Sequence, residues 1–170
     1  IQLGPFNRVE GDLEVSLGAL KTNDEQLCQS IFQIDDQVDT LQGAIKLYLA
    51  RLDHTALDEN GQRQAAAIVD YAVNLEHVGD IIERSLSRLT LKKIEKQLQF
   101  SPEGMAEIAE LYQDTIDNLQ LAQSVFLSRD MGLARRLMES KLTIRIKERA
   151  SASRHMTRLQ DKQAATLQTT

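Results

Sequence analysis

The fold of this chain follows from residues 61–98, GQRQAAAIVDYAVNLEHVGDIIERSLSRLTLKKIEKQL. Apolar or small side chains recur in this stretch at alternating steps of three and four residues. They are Ile68, Ala72, Leu75, Gly79, Ile82, Leu86 and Leu89. This spacing is typical of an amphipathic helix that packs along its neighbour at a shallow angle. The stretch therefore predicts one long helix over about 61–98.

The same periodicity continues on both sides of this stretch. It predicts further helices over about 7–21, 24–53, 102–128 and 130–159. Ser101-Pro102-Glu103 supplies a cap, a first-turn proline and an early acid for the fourth helix, and Asp130 is placed to cap the fifth. No run alternates as a strand does. We therefore expect an all-α fold, an up-and-down bundle of about five helices.

The last predicted helix has its own apolar row. Leu133, Leu137, Leu142 and Ile146 follow one another by four or five residues, and the row continues toward Leu159. This row predicts that the helix capped by Asp130 runs toward Leu159.

Composition restricts the class of protein. The chain has 170 residues, 42% hydrophobic and 26% charged, which is enough for a packed core without a structural metal or disulfide. Its single cysteine, Cys28, excludes an internal disulfide. A net charge of −5 argues against a nucleic-acid partner. No apolar run is long enough for a membrane span, and a first residue Ile1 suggests a domain excised from a longer protein.

Two pairs of acids suggest a metal site. Asp35 and Asp39 are four residues apart, as are Glu76 and Asp80, and each acid directly follows a predicted core position. If the two helices form an antiparallel hairpin that turns near residues 57 and 58, Asp35 lies level with Asp80 and Asp39 with Glu76. Four carboxylates so placed would repel one another unless they bound protons or a hard cation. The predicted ligand is a divalent or trivalent metal ion.

Acidic pairs at this spacing also occur on solvated helix surfaces, so a plain helical interaction module remains the alternative. His77 could add a nitrogen ligand, but it points about 100° away from Glu76 on a helix and fits a surface position. Enzyme signatures are missing. No histidine has a glutamate three residues before it, as a di-iron carboxylate site requires, and no phosphate-binding glycine loop is present. We therefore predict no catalytic activity.

Several segments resemble a known family. They are Asn74–Glu83 with the upstream Asp35-x-x-x-Asp39, then Ile45–Leu52, Lys92–Lys96 and Phe100–Gly104. Together they are similar to PhoU-like domains, most closely to the cytosolic PhoU-like domain at the C-terminus of bacterial sodium/phosphate cotransporters. The resemblance covers most of residues 24–160.

This resemblance implies an all-helical fold of two related three-helix units, with metal bound by the acidic motifs in some members. It implies a regulatory, non-catalytic role in phosphate uptake at the cytoplasmic face of the inner or plasma membrane. The implied partner is a membrane-embedded transporter region of the same polypeptide or complex, and a homo-oligomer is a further option. The metal would be divalent or ferric, held by Asp35, Asp39, Glu76 and Asp80.

The second unit departs from the family pattern. We expect residues 1–170 to form one PhoU-like domain whose first unit covers about 7–98 and whose second, about 101–165, lacks a third helix. No clean acidic motif follows residue 130. Glu148 and His155, seven residues apart, match a transporter-associated variant and would form an incomplete second metal site. Residues 141–158 carry a net charge of +5, whereas residues 31–83 carry −7. The basic stretch is either solvated or a docking surface for an anionic partner.

Overall fold

The computed structural model describes residues 4–32, 40, 43, 44, 47, 51 and 58–168. Its helices are α1 (Gly4–Thr22), α2 (described over 25–32), α3 (Glu59–Ile81), α4 (Arg88–Glu95), α5 (Pro102–Ser128) and α6 (Met131–Gln168). A π-helical segment, Ile82–Ser87, joins α3 to α4, so the elements form five helical rods. Within these residues there is no strand, and the predicted all-α bundle is confirmed.

Most of the predicted helix over 24–53 lies outside the described residues. The fourth helix has the predicted bounds, whereas α1 and α6 extend beyond theirs. The chain divides into two compact units, Ile1–Leu98 and Gln99–Thr170. No helix in the described ranges combines the length and apolar character that crossing a bilayer requires.

Side-chain caps fix where three helices begin. Asp58, Ser101 and Asp130 each accept a hydrogen bond from the backbone N–H three residues later, at 2.7, 3.1 and 3.0 Å. Such a cap satisfies a backbone donor that the helix itself leaves unpaired, and it stabilises the helix by about 1 kcal/mol. The predicted capping roles of Ser101 and Asp130 are confirmed.

The first unit has an apolar core built by α1, α2 and α3. Its buried hydrophobic residues are Val9, Leu13, Ala19, Leu20, Cys28, Ile31, Ala65, Ala72, Leu75 and Ile82. These residues recur at helical spacing on each element, so every helix directs one face inward. Helix α1 contacts α3, the π segment and α4.

Lys93 connects α4 to the turn that follows α1. It is 7% exposed, and its Nζ donates to the carbonyl oxygen of Leu20 at 2.9 Å and to Oδ1 of Asn23. Asn23 has φ 56°, in the left-handed region, where the chain turns from α1 to α2. The ammonium group thereby satisfies a carbonyl at the end of α1, where intrahelical donors are missing.

The predicted seam of the third helix changes register at the π segment. Ile82 is 1% exposed, but Leu89, predicted to follow it in the core, is 62% exposed. Ser87 and Thr90 are buried instead, one position after Leu86 and Leu89. A π turn holds an extra residue and so rotates all later side chains around the axis. The prediction of one uninterrupted seam was therefore wrong at Leu89.

In the second unit, ion pairs join α5 and α6. Glu107 accepts hydrogen bonds from Arg154 at 2.8 Å and Arg158 at 3.0 Å, and also from the hydroxyl of Ser151. Seven residues along α5, Asp114 lies 2.7 Å from Nζ of Lys147, which stands seven residues before Arg154 on α6. The contacts run in opposite order along the two helices, so α5 and α6 are antiparallel.

The apolar row that predicted α6 is largely exposed. Leu133 and Leu137 are partly covered, but Leu142, Ile146 and Leu159 lie at the surface. The reason is that α6 packs on α5 along the face that carries Lys147, Ser151, Arg154 and Arg158. Leu142 and Leu159 lie on the solvent side of the helix, and Ile146 lies at the border of the contact, where it is 67% exposed. The row therefore predicted the helix, but its spacing did not indicate which side of α6 faces the solvent.

Acid should weaken the contact between α5 and α6. Hydrogen bonds from Arg158, Ser151 and Arg154 lower the pKa of Glu107 from 4.5 to about 2. A lowered pKa in the folded state means that this carboxylate stabilises the fold above pH 4.5, and that its contribution is lost as the pH falls toward 2. Thermal unfolding followed by circular dichroism should show Glu107→Gln melting a few degrees lower than wild type at pH 7.

At pH 2 the two proteins should converge. Glu139→Gln removes an exposed carboxylate of α6 and is the matched control, expected to unfold as wild type does at both pH values. Equal melting temperatures for Glu107→Gln and Glu139→Gln at pH 7 would contradict a stabilising role for the Glu107 contacts.

Candidate metal centre on α3

Half of the predicted metal site lies on α3. Glu76 and Asp80 are one turn apart, directly after the buried residues Leu75 and Gly79, and each side chain is 26% exposed. They therefore occupy the rim between the core and the solvent, where carboxylate oxygens are accessible to an ion. Asp35 and Asp39 lie outside the described residues.

Both carboxylates have charged neighbours on the same helical run. Oδ1 of Asp80 is 3.0 Å from Nη2 of Arg84, whose Nε is 3.6 Å from Glu83. Oε2 of Glu76 is 3.9 Å from Nε2 of His77, which is 63% exposed. A metal ion at Asp80 would compete with Arg84 for the same oxygens, because both are cations that seek carboxylate lone pairs. His77 occupies the predicted surface position.

The two residues of the predicted, incomplete second site lie on one helix. Glu148 and His155 both lie on α6 and are both exposed. Within the described ranges, no three side chains of histidine, cysteine, aspartate or glutamate are grouped so as to hold a metal ion. Asp35 and Asp39 lie outside these ranges, so the four-carboxylate site remains a prediction.

The π segment starts two residues after Asp80, a feature that the sequence analysis missed. The hydroxyl of Ser87 donates to the carbonyl oxygen of Ile82, five residues earlier, at 3.0 Å. Single π turns inside α-helices occur often at functional positions, because they redirect the side chains around them. In the sequence, Ser87 and Thr90 directly follow Leu86 and Leu89, and these polar residues take the buried positions that the leucines were predicted to occupy.

A buried carboxylate on α1 was also missed. Asp12 is 2% exposed, and its Oδ1 has no hydrogen-bond partner within the described part of the chain. Burial raises the pKa of Asp12 from 3.8 to about 6, and the charge of Arg8 lowers it by a smaller amount. The sequence signal was its position between Val9 and Leu13 in the apolar row of α1.

The stability of the first unit should therefore depend on pH through Asp12. Because its folded-state pKa is raised, the folded chain holds this proton more tightly than the unfolded chain does. The contribution is complete below about pH 4 and is lost as the pH rises through 6. Asp12→Asn cannot ionise, so it should not lose this stability. Between pH 4 and pH 7, its free energy of unfolding, measured with denaturant, should rise by at most about 3 kcal/mol relative to that of wild type.

The matched control is Glu14→Gln, which neutralises an exposed carboxylate on the same helix. Its stability relative to wild type should stay constant over that range. A constant difference for Asp12→Asn as well would mean that the proton on Asp12 is not linked to folding.

Comparison with known proteins adds the family context. The sequence profile described as the PhoU domain matches residues 6–89. The YjbB protein of Salmonella typhimurium, provisionally named an inorganic phosphate export protein, is 40% identical over 141 residues. That match covers 83% of this chain and 26% of the relative. YjbB of Escherichia coli K12, with the same provisional name, is 38% identical over 137 residues, or 81% of this chain and 25% of the relative.

A solved structure shares the fold. The crystal structure of PhoU from Pseudomonas aeruginosa superposes with a TM-score of 0.81 at 21% sequence identity, over 96% of this chain and 78% of that one. At this identity the likeness concerns the fold alone. The chain spans about a quarter of the length of the two YjbB relatives.

Proposed function

We propose that this chain, whose residues 6–89 match the PhoU domain, is the non-catalytic regulatory domain of a phosphate carrier of the sodium/phosphate cotransporter type. The observation that carries the proposal is the PhoU profile match over residues 6–89, which include both acidic pairs. A regulatory domain needs a ligand site and a partner rather than a nucleophile or a phosphate loop, and the residues on α3 offer carboxylate oxygens for a ligand.

The proposed partner is a membrane-embedded carrier region of the same polypeptide or complex, with this domain on its cytoplasmic face. Two observations support it. The related YjbB proteins are about four times as long as the matched region, and they are named for phosphate export. That name favours outward flux, whereas the resemblance to cotransporters favours uptake, so the direction of the regulated flux has to be measured.

The proposed ligand is a divalent or ferric ion held by Asp35, Asp39, Glu76 and Asp80. The placement of Glu76 and Asp80 on one helical turn, at the rim of the core, supports it. Bound metal would offset the mutual repulsion of the four carboxylates and would tie the two acidic motifs together. A second site at Glu148 and His155 would need further ligands.

Metal binding can be tested by its effect on stability. A metal that binds only the folded chain should raise its melting temperature, and the rise should shrink as the pH falls, because protons and metal compete for the same oxygens. Calorimetry with Mg²⁺, Mn²⁺, Zn²⁺ and Fe³⁺, together with elemental analysis of protein purified without chelator, would identify the ion. Asp39→Asn with Asp80→Asn should abolish the rise.

The control for this variant is Asp70→Asn, which removes an exposed acid from the same helix six residues before Glu76. It should bind metal as wild type does. If none of the ions shifts the melting temperature of wild type, the domain is better described as a helical interaction module without metal. The contact between Asp80 and Arg84 is the observation that favours this second candidate.

The carrier assignment is tested in the full-length protein. Deleting the domain should leave membrane insertion intact but change the rate or the phosphate dependence of flux. Radioactive phosphate should be followed in both directions, with and without a sodium gradient. Unchanged kinetics in both directions over a wide phosphate range would contradict the proposed regulation, whatever the result of the metal experiment.

A further inference from the structure

The outer face of α6 carries large apolar side chains in contact with solvent. Met131 is 80% exposed, Met138 73%, Leu142 62% and Met156 57%. The opposite face of the helix holds α5 through Lys147, Ser151, Arg154 and Arg158. A stable surface seldom exposes so many large apolar groups along one line, and contiguous exposed apolar surface is a mark of interaction sites.

These side chains belong to a regular seam. Nine exposed residues follow one another at alternating steps of four and three. They are Met131, Arg135, Met138, Leu142, Arg145, Arg149, Ala152, Met156 and Leu159. The stripe is about 40 Å long, at 1.5 Å per residue, and on a straight α-helix it winds slowly around the axis, by about 20° per seven residues. It is the pattern by which one helix packs along another at a shallow crossing angle.

The polar members of the seam specify the partner's charge. Three of the nine are arginines, and the nearest acids on the helix, Glu139 and Glu148, stand at the edges of the stripe rather than in it. A helix packed on this seam would bring its own side chains against the guanidinium groups, which need carboxylates in a partly desolvated contact. We propose that the outer face of α6 is the docking surface for an amphipathic helix of a protein partner that carries carboxylates beside its apolar stripe.

Two other occupants fit the seam less well. A symmetric second copy would offer two edge carboxylates, Glu139 and Glu148, to the three arginines of the facing seam, and would bring its own three arginines into the contact. A lipid surface suits a broad apolar face with its cations at the borders, whereas here Arg145 and Arg149 lie within the stripe and would enter the bilayer with the methionines. Charge and spacing together therefore favour a helix.

The probe for this proposal is a designed helical peptide about 30 residues long, as long as the seam. It has leucines at the same alternating spacing and glutamates flanking them, and a second peptide replaces every glutamate by lysine. Fluorescence anisotropy with the 170-residue chain should show saturable binding of the glutamate peptide. The lysine peptide should bind at least about tenfold more weakly, because its charges repel the arginines.

Reversal of charge on the protein provides the decisive variant. Arg145→Glu with Arg149→Glu should lose the glutamate peptide and bind the lysine peptide instead, a swap that misfolding cannot produce. Arg88→Glu, at an exposed arginine of the first unit, is the matched control and should behave as wild type. Failure of wild type to bind the glutamate peptide, equal binding of both peptides, or no swap in the double variant would each overturn the proposal.

The alternative occupants are measured in parallel. Vesicles of phosphatidylserine and phosphatidylcholine test a lipid surface by co-sedimentation, and analytical ultracentrifugation tests self-association. The helix proposal would be overturned if wild type showed no preference between the two peptides but bound vesicles or formed dimers, and if the double variant did neither. Vesicle binding would then assign the seam to lipid, and dimer formation would assign it to a second copy.

Discussion

Burial of an apolar seam along α3 is the constraint on which the candidate site depends. Leu75 and Gly79 must face the core, and this fixes the rotation of the helix about its axis. Glu76 and Asp80 then fall at the rim, partly covered and one turn apart. Core packing thus sets the position of both carboxylates. A site built in this way is as rigid as the helix that carries it.

The π segment after Asp80 changes which side chains of the helix face the core. Because it holds one extra residue, Leu89 faces the solvent and Thr90 is buried. Burial of apolar surface alone would favour the reverse arrangement. The same rotation governs the direction of the residues that follow, including Lys93, whose ammonium group meets the end of α1. The local cost of the irregular turn is offset by a polar connection that closes the first unit.

The second unit is stabilised by different interactions. Two helices cannot enclose a core. Among the described residues of this unit, a single hydrophobic residue, Ile116, is fully buried. Charged contacts centred on Glu107 and Lys147 therefore carry much of the specificity of the pairing. Helix α6 satisfies one face in this way and leaves its opposite face apolar and basic.

The sequence by itself determined the helical class, the caps at Ser101 and Asp130 and the bounds of α5, because these depend on local spacing and short-range hydrogen bonds. It also placed Glu76 and Asp80 on one face. Only the tertiary structure decided that Asp12 is buried, that the seam shifts at Ile82 and that Leu142 and Ile146 face the solvent. Each of these depends on which neighbour covers a given face, and two faces of similar apolar character cannot be distinguished by periodicity alone.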